Sequence, residues 1–300
     1  MTLTSQHKID TVDGQSLSVT VYSAQESDAP VIQVLHGMAE HAGRYHDVAQ
    51  RLQAAGFTVW LHNHRGHGER TPLGHLAKGD WARIVDDVAR IQSTLLGGRK
   101  LILFGHSMGS FIARDVASRY PDNLTALVLS GSNAEHAGIF RVGRLVSALL
   151  ATLGGADKPS ALLTQLSFGS FNKAIQDAKT PSDWLSRDAA QVNAYIADPL
   201  CGFDCTAGFW REFFTGLIRV NSPSIFRDWP ASLPVYLFSG SDDPVGHYGK
   251  GVRRLRDWLT AAGCRDIELR LYAGGRHEML NEINAAEVEA DLLAWLKKQA

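Results

Sequence analysis

Cysteine is scarce in this chain. Three thiols, Cys201, Cys205 and Cys264, stand in 300 residues. So low and odd a count supplies no disulfide framework and leads us to expect reduced thiols and a cytoplasmic setting. A fold of ~300 residues buries about three quarters of its unfolded surface and needs no covalent staples. Cys201 and Cys205 lack matching partners for a metal site and are expected to be plain packing or surface thiols. A surplus of positive charge is also missing. Thirty Lys and Arg face 31 Asp and Glu, for a net charge of -1, which argues against nucleic acid as the main partner. No long hydrophobic run is evident: the longest mostly apolar stretch, around residues 145–156, is about half of the ~20 residues a bilayer demands. The opening MTLTSQHKID has no apolar core of the kind a secretory signal carries. What remains, 45% hydrophobic and 20% charged, is a globular composition. Its length suits two domains, or one large domain with an insertion.

Short apolar runs followed by helical patterns fill both ends of the chain. The runs are 31–35, 57–61, 101–104, 127–129, 235–238 and 267–271. Runs this short and this apolar are what strands buried on both faces look like. Two alternating segments before them flank Asp13-Gly14, a hairpin signal. Helical patterns over 81–95 and 251–262 complete the alternation. The expected architecture is α/β, a largely parallel sheet covered by helices. The rhythm breaks between residues 133 and 232, which read as helices and loops rich in aromatics, including Phe209, Trp210, Phe213 and Phe214. We therefore expect a core of residues 1–132 and 233–300 carrying a helical cap, 133–232, whose apolar underside lines a pocket.

The sharpest motif is Gly105-His106-Ser107-Met108-Gly109, directly after the strand run 101–104 and directly before a helical pattern. A Gly-x-Ser-x-Gly in that context is a nucleophile elbow, with the hydroxyl raised at the carboxyl end of the sheet. A serine needs a base, and the base a carboxylate to orient it. The chain order in this arrangement is serine, acid, histidine. Of the later histidines, His136 and His247 do not follow a strand after an acid, whereas His277 does. The acid comes from Asp242-Asp243, just past the run 235–238, and these residues leave the choice between the two open. One oxyanion donor should be the Met108 N–H, and the other the Met38 N–H, in the turn His36-Gly37-Met38 that ends an earlier strand.

A rival chemistry is written in His62-Asn63-His64-Arg65-Gly66-His67. His62, His64 and His67 have the spacing of a zinc hydrolase, though Gly66 stands where the metallo-β-lactamase-like enzymes carry an aspartate. The expected reading is a rigid loop near the pocket.

Taken together, 36–45 (HGMAEHAGRY), 64–68 (HRGHG), 105–109 (GHSMG), 240–243 and His277 resemble the α/β-hydrolases of the monoacylglycerol lipase and lysophospholipase group, sometimes placed with the serine aminopeptidases. The likeness covers nearly the whole core and, more weakly, the insert at Asp198-Pro199-Leu200. It implies an eight-stranded sheet, a helical cap and no cofactor. It also implies a triad of Ser107, Asp243 and His277, favouring Asp243 over Asp242, with Met38 and Met108 as oxyanion donors. Glu40 and Arg44 match substrate-binding positions near the polar end of the pocket. Asn63 and Arg70 depart from the Asp and Ser common there, and Leu280 replaces a polar residue of the mammalian monoacylglycerol lipases. The implied partner is a small ester or lipid, with transient membrane contact through the cap; an acyltransferase or a peptidase could use the same triad.

Overall fold

The computed structural model describes residues 3–227 and 229–300. Met1 and Thr2, with which the segment read for a signal begins, and Asp228 lie outside them. Eight strands form one sheet: β1 (Leu3–Asp10), β2 (Ser16–Ser23), β3 (Val31–Leu35), β4 (Thr58–His62), β5 (Leu101–His106), β6 (Ala126–Ser130), β7 (Val235–Gly240) and β8 (Ile267–Tyr272). Their order is β1-β2-β4-β3-β5-β6-β7-β8. The hairpin at Asp13-Gly14 makes β1 and β2 antiparallel, and β2 pairs antiparallel with β4. Every pairing from β4 through β8 is parallel. The expected α/β-hydrolase architecture is therefore present. β3, β4, β5 and β6 are buried along their whole length, which is why they read as unbroken apolar runs.

Helices cover both faces. On one, α1 (His46–Ala54) and α9 (Ala285–Gln299) bring Val48, Leu52, Val288, Leu292 and Trp295 against Ile32, Val59, Phe104 and Tyr236. On the other lie α2 (Asp80–Leu95), α3 (Met108–Arg119) and α8 (Lys250–Ala261). α2 shows why: Trp81, Ile84, Val85, Val88 and Ile91 recur at helical spacing and all are buried. Because β3, β5, β6, β7 and β8 are consecutive and parallel, their carboxyl ends form one rim. Main-chain bonds continue across it beyond the strands, from Ser107 N–H to Ser130, Gly131 N–H to Phe238 and Ser241 N–H to Tyr272.

Between β6 and β7 the chain is helical: α4 (Ala137–Leu150), α5 (Ala161–Phe168), α6 (Ala189–Ala197) and α7 (Ala207–Val220). α7 is sunk against α2 and α3, with Phe209 and Trp210 buried. α4 is not. It continues into a widened turn that kinks at Leu153 and Gly154, and by length and composition the 19 residues to Gly155 could cross a bilayer, with 6% of an 18-residue window of them buried. The sequence reading counted the mostly apolar stretch 145–156; the longer count rests on length and composition alone. Arg141 and Arg144 interrupt the run without ending the helix. Ile139, Val142, Leu145, Leu149 and Leu153 stand exposed along it, and Leu162 and Leu166 of α5 are exposed as well.

Candidate active site

Ser107 is the single residue between β5 and α3. It is held at φ 50°, ψ -120°, a region costing of order 1–3 kcal/mol for a side chain with a Cβ. The two flanking glycines are what permit the turn. A Cβ on Gly105 would lie 2.3 Å from the Gly109 carbonyl oxygen, and one on Gly109 would lie 2.0 Å from that of Leu35. Ser107 is the N-cap of α3, whose first N–H, that of Met108, precedes any helical hydrogen bond.

His277 sits in the loop after β8, 2% exposed, with Nδ1 3.0 and 3.1 Å from the two oxygens of Asp243. Asp243 is fully buried and also accepts from the Ser239 hydroxyl and the Val245 N–H, both at 2.8 Å. Asp242 is exposed and takes the Ser241 hydroxyl. One step along the chain separates a carboxylate on the imidazole from one in solvent. Burial works to lower the His277 pKa, but Asp243, with Glu278 and Glu40 beyond it, outweighs burial and the net shift is upward. The reciprocal balance holds Asp243 below its ordinary value: burial raises it, and His277 with the hydrogen bonds more than compensates. His277 reaches the end of β6, where a Cβ on Gly131 would touch its Cε1 at 2.8 Å. Neither Ser107 Oγ nor His277 Nε2 has a hydrogen-bond partner among the described residues. In ligand-free sites this bond is often long and tightens only in the complex.

The loop after β3 lies against the serine, since a Cβ on Gly37 would come within 3.2 Å of Ser107 Cβ. Its amides are tied down one by one. The Gly37 N–H donates to Glu40 and the Ala39 N–H to His67 Nε2 at 3.1 Å, with Ala39 at φ 53°. The Ala39 carbonyl accepts from Gly202 N–H and the Tyr195 hydroxyl, each at 2.9 Å, and Ala42 N–H donates to Asn63. Between them the Met38 N–H has no partner among the described residues.

Glu40 and Arg44 were expected to meet the polar end of a substrate. In the structure they pair with each other, and Arg44 also lines a small cavity with His106, Ser130 and Leu280. Arg44 bridges Glu40 at 2.7 Å and Glu278, the neighbour of His277, at 2.6 and 2.7 Å. Glu40 is 3% exposed and accepts the Tyr45 hydroxyl as well. The pair is thus a buckle between the loop holding Met38 and the loop holding His277. Glu278 gave no sequence signal beyond its place next to His277, and Ser239 none at all.

The three histidines of the zinc reading do not converge on a common point. His67 uses both nitrogens, accepting from Ala39 and facing the Arg65 carbonyl at 3.0 Å, while His62 and His64 are buried with neither ring nitrogen bonded. Among the described residues one metal-type trio does converge within 4.8 Å, His41, Asp198 and Cys201. His41 Nδ1 accepts from Gly43 N–H, so Nε2 carries the proton and donates to Asp198 at 2.8 Å. Burial pushes the Cys201 thiol up to about 12. A protonated nitrogen and a protonated thiol offer a cation little. All three cysteines are free and buried.

The wider likeness accords with this geometry. Residues 26–284 match the family model described as serine aminopeptidase, S33. A monoacylglycerol lipase of Mycolicibacterium smegmatis is 31% identical over 303 residues, spanning 97% of this chain and 96% of its own. The human monoglyceride lipase is 29% identical over 280 residues, 90% of this chain and 82% of its own. Among solved structures, a highly thermostable carboxyl esterase from Bacillus coagulans, in complex with glycerol, superposes with a TM-score of 0.91 at 25% identity over 99% of both chains. The chain belongs to the serine aminopeptidase S33 family of α/β-hydrolases and is a carboxylic ester hydrolase.

Proposed function

We propose that the chain cleaves acylglycerol- or lysophospholipid-type esters through an acyl-enzyme on Ser107. His277 takes the Ser107 proton as Oγ attacks the ester carbonyl, and Asp243 holds the imidazole with its acceptor nitrogen towards the serine. The Met38 and Met108 N–H groups receive the oxyanion, a contribution of roughly 3–4 kcal/mol for each preorganised donor. The alcohol leaves with the proton from His277; water, activated by the same imidazole, then releases the acid. Glu40 and Arg44 serve this reaction through the frame, keeping the Met38 amide and the imidazole in register. The observation that carries the reading is the Met38 N–H, left open beside Ser107 while both neighbouring amides are tied.

A fluorophosphonate should label Ser107 stoichiometrically, with peptide mapping as the readout, and a panel of esters graded by acyl length and head group should show hydrolysis. Hydrolysis confined to aminoacyl arylamides would favour a peptidase, the activity that the family description names. Because the base must be neutral, kcat/KM should fall on the acid side through a pKa above the ordinary histidine value, following the upward shift of His277.

The cap reading extends to a lipid surface. The exposed stripe on α4 is flanked by Arg141 and Arg144, the pairing of apolar face and basic edge that interfacial helices use. The protein should co-sediment with phosphatidylcholine vesicles containing phosphatidylserine, and Leu145→Glu with Leu149→Glu should lower the bound fraction several-fold while leaving hydrolysis of a short soluble ester unchanged. A bound fraction that the double variant does not alter counts against the lipid surface, and a wild-type dimer that it converts to monomer would assign the stripe to a second copy instead.

A further inference from the structure

We infer that Trp184 is a positioning residue for this reaction, its indole stabilising the imidazolium that His277 becomes while Ser107 is acylated. The inference rests on the triad reading above. As Ser107 Oγ bonds to the acyl carbon, its proton passes to Nε2 and the ring gains one positive charge; the charge is lost when that proton leaves with the alcohol. A group that favours the charged ring lowers the barrier of that step.

The Trp184 ring centroid lies 5.1 Å from that of His277, with the planes inclined at 39°. That is inside the ~6 Å at which a cation is attracted to the face of an indole, the strongest of the aromatic partners. The placement is held from both sides. Behind it, Phe168 stacks on the indole at 5.9 Å and Phe171 meets it edge-on at 5.0 Å. Along the backbone, the Trp184 carbonyl accepts from the His277 N–H at 3.3 Å, and the Leu185 carbonyl from the Glu278 N–H at 2.7 Å. The Arg276 guanidinium donates to the carbonyls of Asp183 and Ser186, and Arg187 pairs with Glu282. Residues 183–187 belong to the helical insert by sequence, yet they are stapled to the loop of the base. The indole and the imidazole therefore keep one geometry.

The other groups around His277 are few. Asp243 faces Nδ1 from the β7 loop. Glu278 and Glu40 lie beyond, sharing the single Arg44. The His106 ring, at 4.8 Å, comes from the elbow; burial, then the nearby His277, holds its pKa down to about 4, so it is neutral at working pH. Trp184 carries no charge of its own, and its contribution grows as the base becomes charged.

Simple packing predicts the opposite sign. An indole that merely shielded the imidazole from water would disfavour its charged form, so removing it would raise the pKa of the base. An indole whose face attracts the cation does the reverse. The test is the pH dependence of kcat and kcat/KM on p-nitrophenyl butyrate for wild type, Trp184→Phe and Trp184→Leu, with thermal melting to verify folding. For Trp184→Leu the acid limb should move down by about 0.5–1 unit and the plateau kcat should fall roughly three- to tenfold. Trp184→Phe should fall between, since a phenyl face attracts cations less. An acid limb that stays or moves up in either folded variant overturns the inference. Wild type is profiled first: the absence of an acid limb, or of fluorophosphonate labelling at Ser107, would sink the triad reading and this inference with it, whereas a normal wild-type profile isolates any failure to Trp184.

Discussion

Replacing Ser107 with alanine should lower kcat/KM for every ester by at least about 10⁴-fold, leaving at most the residual catalysis of an oxyanion hole without a nucleophile. It should do so without unfolding the protein. The Ser107 hydroxyl has no hydrogen-bond partner among the described residues, so its removal orphans no donor or acceptor, and alanine keeps the same Cβ in the same φ 50° turn. Melting should stay within a few degrees of wild type, and the main-chain bond from residue 107 to Ser130 should survive. Ester hydrolysis undiminished in a folded variant would remove Ser107 from the mechanism and, with it, the acyl-enzyme.

Nearly as large an effect is expected from Asp243→Asn. An amide in that position can donate towards Nδ1, which favours the tautomer with its proton on the wrong nitrogen; a loss of about 10⁴ in kcat is the order such a change produces. Part of the loss should reflect lost charge compensation, since Asp243 is fully buried on the imidazole. Asp242→Asn is the matched control. Asp242 is exposed and bonded to the Ser241 hydroxyl, so kcat should remain within about twofold of wild type. Equal losses in both variants would mean that the turn as a whole, rather than one carboxylate, supports the base. The reverse ranking would transfer the role to Asp242.

Those two aspartates also mark where the letters stop being informative. Chain order and strand spacing bring the acid to a two-residue window, because both are local properties. Which of the two turns inward depends on how β7 and β8 meet, through the bond from Asp242 N–H to Gly275, and on the turn after β7, where Tyr248 N–H donates to the Asp243 carbonyl. The elbow itself was legible throughout. Strand period, Gly105, Ser107, Gly109 and the helix that follows are adjacent in sequence, and each states its conformation through its neighbours. The loop His36-Gly37-Met38 was legible for the same reason. Glu40 and Arg44 were recognisable as special but not as a buckle, because their third member, Glu278, lies 234 residues away from Arg44.

The helical insert was the least transparent part. Its apolar content was read as lining a pocket, and α7 does bury Phe209 and Trp210. On α4 Phe140, Val146 and Leu150 pack inward, while Ile139, Val142, Leu145 and Leu149 face solvent. Hydrophobicity reports that a side chain avoids water; it does not say whether a core, a lipid or another protein will receive it. His62, His64 and His67 make the same point for polar groups. Their spacing alone permitted a metal, but His67 spends both nitrogens on the backbone of two loops.

Strands, elbow, hairpin and the serine-acid-histidine order were therefore available before any coordinate, since each depends on residues a few positions apart. Asp243 and the Met38 amide were already favoured from the motifs and the family resemblance; the Arg44 bridge and the indole beside His277 came only with the assembled molecule. They arise where five parallel strand ends and a distant helical segment meet, and such contacts are set by which surfaces pack together rather than by any run of neighbouring residues.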